Sequence, residues 1–118
     1  MSGISFQVYT HASSIGQLVF SPATLEELKE VLSRSKFDKY LSADARQEAL
    51  ASIVDLAFVT TAPEETDIYC RDEKDIKFLQ VAFAAEVSCL VTGDSDLLVL
   101  HPFRGIPIMK GPDFLQMY

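Results

Sequence analysis

The chain has 118 residues, 48% of them hydrophobic, and a formal net charge of −7. That describes one domain with enough apolar mass for a core, and it excludes a protein held on nucleic acid by a broad basic face. No apolar run reaches the roughly 18 residues that a membrane span needs, and the start Met1-Ser-Gly-Ile-Ser-Phe6 lacks the regions of a signal peptide. Cys70 and Cys89 each stand alone, so a disulfide framework is not expected and a reduced, cytoplasmic setting fits. The acidity permits a carboxylate metal cluster or a basic protein partner, while solubility alone accounts for most of the charge.

Ile4, Phe6 and Val8 alternate with Ser5, Gln7 and Tyr9. That period of two predicts a strand over Ile4–Thr10, with a helix across 4–14 as the competing reading. Gln17–Phe20 reads as a second short strand, too close to the first for a parallel crossover. Ser21-Pro22 is a helix start, and Leu25, Leu28, Val31 and Leu32 share one face, so a helix is predicted over 22–34. Lys36–Leu41 continues as a short helical piece. Ser42 caps a helix over about 43–57, Phe58–Thr61 reads as a strand, and Ala62–Tyr69 as a loop. A helix over 74–86 is apolar nearly all round and hence deeply buried. Cys89–Thr92 is a buried strand, 95–100 a short helix, Ile106–Met109 a strand whose Pro107 suggests an edge, and Gly111–Met117 a last helix. This alternation predicts an α/β fold with a mainly parallel sheet.

Acids recur where open α/β sheets hold their ligands, beyond the C-terminal strand ends. Asp94 and Asp96 follow the strand at 89–92, where an Asx-turn at Asp94 and a helix cap at Asp96 are the alternative reading. Glu27 lies at the border of the apolar face of its helix, with no basic residue four positions on. Asp72 and Asp75 open the buried helix as a capping pair, yet Asp75 projects within the arc of Leu79 and Ala82, where a buried acid needs a partner. Carboxylates converging there would hold one or two divalent ions. Mg²⁺ and Mn²⁺ prefer such oxygen donors, and they can activate water for phosphodiester cleavage.

Three stretches carry a family resemblance: Phe20-Ser-Pro-Ala-Thr-Leu-Glu-Glu-Leu-Lys-Glu-Val-Leu32, Cys70-Arg-Asp-Glu-Lys-Asp-Ile-Lys-Phe-Leu79 and Leu90-Val-Thr-Gly-Asp-Ser-Asp-Leu-Leu98. Their order and spacing resemble the PIN-domain family, in the branch of toxin components of toxin–antitoxin pairs, over about residues 17–115. The resemblance implies a three-layer α/β fold with a mainly parallel central sheet. It implies a Mg²⁺- or Mn²⁺-dependent endoribonuclease, dimerisation and inhibition by an antitoxin. Glu27 matches the family's helix glutamate, and Asp94 the acid after the later strand. The expected set is Glu27, Asp75 and Asp94 for catalysis, the same three with Asp96 for metal, and Asp72 and Thr92 supporting them from behind.

The chain departs from that pattern twice. The family opens on a central strand ending in Asp-Thr-Asn, whereas the first aspartate here is Asp38. The acid most used for metal corresponds to Ile76, beside Asp75. The resemblance therefore describes a truncated or degenerate member: an atypical segment 1–16, acting as a replacement strand or an exchanged arm, and a PIN-like domain over 17–118. The alternative function is a catalytically inactive domain that binds a protein partner.

Overall fold

The computed structural model describes residues 6–34, 42–63 and 67–118. Its first element, α1 (Phe6–Ile15), is a helix where alternation predicts a strand. The competing helical reading is the one realised, and the reason is tertiary. Val8 and Ala12 are four apart and share a helix face. Val8 is buried against Met109 and Phe114, and Ala12 packs on the same cluster. Burying a valine stabilises by roughly 1.5–3 kcal/mol, which outweighs a propensity difference of a few tenths. The Gly16 N–H bonds the Ala12 carbonyl at 2.9 Å and closes the helix. Residues 6–15 therefore supply no replacement strand. Residues 1–5 and the helical piece expected at 36–41 lie outside the described residues.

β1 (Leu18–Phe20) leads into α2 (Pro22–Leu32). The Ser21 hydroxyl accepts the Thr24 N–H at 3.2 Å, and the Thr24 hydroxyl accepts the Ser21 N–H at 2.9 Å. This reciprocal box satisfies two otherwise orphaned donors at a buried helix start. The Ser42 hydroxyl caps α3 (Ala43–Leu56) by accepting the Ala45 N–H at 3.1 Å. β2 (Ala57–Val59) then returns parallel to β1, from Leu18 opposite Ala57 to Phe20 opposite Val59.

A 3₁₀ turn (Glu73–Asp75) runs into α4 (Ile76–Ala84). β3 (Leu90–Val91), α5 (Ser95–Leu98), β4 (Ile108–Met109) and α6 (Gly111–Met117) complete the chain. β3 and β4 are parallel. The fold is thus α/β with short parallel sheets, and the regular pairing among the described residues divides into β1-β2 and β3-β4. The main core gathers Ile68, Cys70, Leu79, Leu97 and Ile108, with Leu90 packed against it. α4 is less buried than its composition suggests: Phe83 is 39% exposed, and the Arg104 guanidinium stacks on its ring at 4.4 Å. Among the described residues, no helix is long and apolar enough to cross a membrane.

Candidate metal centre

β3 ends at Val91, and the next residues turn sharply. Thr92 is buried, and its hydroxyl accepts the Asp94 N–H at 3.0 Å. Asp94 caps α5, its Oδ1 accepting the Asp96 N–H at 2.8 Å. The Asx-turn reading of Asp94 and its placement at a strand end are therefore one arrangement. A carboxylate has lone pairs to spare after accepting one N–H. Asp96 is not the helix cap. It faces Arg71, with Nε to Oδ1 at 2.8 Å and Nη2 to Oδ2 at 3.4 Å.

The 3₁₀ turn before α4 places the other acids. Asp72 is its cap, with Oδ1 accepting the Lys74 N–H at 3.0 Å. Asp75 sits at the start of α4 but makes no capping hydrogen bond. It is only 7% exposed, and its Oδ2 has no hydrogen-bond partner. One oxygen from each of Asp72, Asp75 and Asp96 lies within 4.8 Å of the others. The Asp75 carboxyl is pushed up from 3.8 to about 7. Burial is the largest cause, followed by the hydrogen bond and charge of Asp94, then the charges of Asp72 and Glu27. Those causes place Asp94 and Glu27 in the electrostatic surroundings of Asp75.

Of the acids singled out from the sequence, Asp72, Asp75 and Asp96 bring oxygens together, and Asp94 acts on the Asp75 carboxyl from beside them. Thr92 holds the Asp94 turn through its hydroxyl. Glu27 stands near, but it is not the unpaired acid that its helix spacing suggests. Lys77 of α4 meets it, Nζ to Oε1 at 2.7 Å. Nothing in local spacing predicts that pair, because the partner arrives through the packing of α2 on α4. Arg71 lies within one of the three stretches that carry the resemblance, yet sequence reasoning assigns it no role. A basic residue next to a candidate ligand is a weak signal that could have raised it.

Chemically, this is a set of oxygen donors around a buried carboxyl oxygen that lacks a partner. Such a group needs a proton or a cation. Asp72, Asp75 and Asp96 offer oxygens close enough together to suit one hard divalent ion. Asp72 and Asp96 line a depression of about 470 Å³ together with Arg71, Glu73 and Lys74.

The profile of the PIN domain matches residues 10–96. An uncharacterised protein of Methanocaldococcus jannaschii is 32% identical over 81 residues, which cover 69% of this chain and 52% of that protein. The chain therefore spans about half the length of the curated relative it matches. No solved structure matches.

Proposed function

The chain belongs to the PIN-domain family, and from that premise we propose that it is a Mg²⁺- or Mn²⁺-dependent endoribonuclease. One observation carries this reading beyond the family: the buried Asp75 carboxyl with an unpartnered oxygen, set among further acids. Asp72, Asp75, Asp94 and Asp96 would hold the ion, with Glu27 at the edge of the cluster. A bound divalent ion there supplies an activated water and charge stabilisation for phosphodiester cleavage. The chain's own part is to fix the donors. Thr92 and the Asp96 N–H hold the Asp94 turn, and the 3₁₀ turn fixes Asp72 three residues before Asp75. The family resemblance further supports a toxin role, with RNA as substrate, an antitoxin protein as partner and a dimeric state.

A second reading rests on the ion pairs. Lys77 pairs with Glu27, and Arg71 pairs with Asp96. Internal cations at those two acids favour a domain that keeps the fold and binds a protein without cleaving RNA. Cleavage of a single-stranded RNA in Mn²⁺, with chelator controls and Asp94→Asn, separates the two. The nuclease reading predicts cleavage that needs the ion and disappears in the variant. Ion uptake without cleavage favours the binding module, and cleavage that persists in chelator contradicts both.

A further inference from the structure

A chain of net charge −7 that gathers carboxylates at one site faces a difficulty with a polyanionic substrate. Each phosphate that approaches meets like charge, so some cation of the protein has to guide it. Lys77 is committed to Glu27. The basic side chains that line the depression are Arg71 and Lys74. Both sit next to the acids in sequence, flanking Asp72, and so share the wall on which the cluster is built.

The Arg71–Asp96 pair is lopsided. The guanidinium side chain is 79% exposed, while the carboxylate it holds is 19% exposed. Its Nε is 2.8 Å from Asp96 Oδ1, and Asp96 also belongs to the set whose oxygens lie within 4.8 Å of one another. A pair exposed on one side is weak. A divalent ion among these acids would compete with the guanidinium for Asp96. Asp75 Oδ2, buried and unpartnered, is the independent sign that such an ion has a place there. A released guanidinium is a planar fork that matches two phosphate oxygens at once.

We propose that Arg71 is a substrate-positioning residue. It pairs with Asp96 while the cluster is empty and turns to a phosphodiester of single-stranded RNA when a cation takes Asp96, with Lys74 adding a second phosphate contact. This rests on the metal-dependent reading of the same site. It also gives the ion a second effect, because loading the cluster frees the group that receives the substrate.

The two ligands then respond in opposite directions. Arg71→Ala removes the competitor for Asp96, so Mn²⁺ binds about two- to fivefold tighter by calorimetry. The same variant binds a labelled, phosphorothioate-linked single-stranded RNA about tenfold more weakly in Mn²⁺, by anisotropy. Its salt dependence flattens by about 0.7 in log–log slope for each phosphate that the protein no longer neutralises. Arg71→Lys recovers the slope but only part of the affinity, and Lys74→Ala lowers the slope with Mn²⁺ affinity unchanged. Wild-type RNA affinity and slope in Arg71→Ala would overturn the proposal, as would weaker binding of both ligands together, the mark of a purely structural role. If the wild type takes up no Mn²⁺, the metal reading fails and takes this inference with it. If it takes up Mn²⁺ and Arg71→Ala changes neither ligand, the positioning role alone fails.

Discussion

Replacing Asp75 by asparagine separates what its carboxyl does for the site from what it does to the fold. The group is 7% exposed, one oxygen lacks a partner, and its carboxyl is pushed up from 3.8 to about 7. In the metal-free protein the folded state prefers the neutral form. The contribution to stability is full below about pH 4 and is lost as pH rises toward about 7. Above that, the fold carries a charge that burial and Asp94 both oppose. The gap from 3.8 to about 7 corresponds to roughly 4 kcal/mol at 1.36 kcal/mol per unit. Because Asp94 shares the interaction, we expect one substitution to recover about half of that, or roughly 2 kcal/mol. Asparagine keeps the shape and removes the charge. Urea unfolding in chelator should find Asp75→Asn about 2 kcal/mol more stable than wild type near pH 8, and within about 1 kcal/mol of it near pH 4. In Mn²⁺ near pH 8 the order narrows or reverses, because the wild type gains binding energy that the variant lacks. A variant less stable than wild type in chelator near pH 8, or one shifted equally at both pH values, would refute the reasoning.

Other substitutions test the supporting structure. Lys77→Ala strips Glu27 of its counter-charge at a half-buried pair and should destabilise the metal-free fold by about 1 kcal/mol, an effect that shrinks in high salt; urea midpoints at two ionic strengths check both. Val8→Ala loosens α1 from Met109 and Phe114 and should reduce stability by about 1–2 kcal/mol in thermal unfolding. Leu79 is fully buried at the centre of the main core, so Leu79→Ala should lower stability by about 3 kcal/mol in the same assay.

What can be read from the residues depends on whether the deciding contact is local. Ser21-Pro22 and Ser42 announce α2 and α3 because a cap is settled within three residues. The parallel pairing of β1 with β2 follows from two helices filling the crossover between them. Asp75 is legible as a buried acid because its place in the arc of Leu79 and Ala82 is a matter of helical period. Alternation misleads at α1 because Phe6 and Val8 fit a strand locally, and only the docking of Val8 on Met109 and Phe114 selects the helix. The cations at the site are not legible for the same reason. Lys77 reaches Glu27 across two packed helices, and Arg71 reaches Asp96 across the loop from β3. Spacing along the chain does not pair either cation with its acid.

The proposed nuclease function requires that the acids beside Asp75 bind a divalent ion. Calorimetric titration of the wild-type chain with Mn²⁺ at neutral pH tests it most directly, with Asp75→Asn and Asp94→Asn titrated beside it. Saturable uptake by the wild type and marked loss of affinity in both variants are expected. No uptake at millimolar Mn²⁺, or equal affinity in all three proteins, would contradict it.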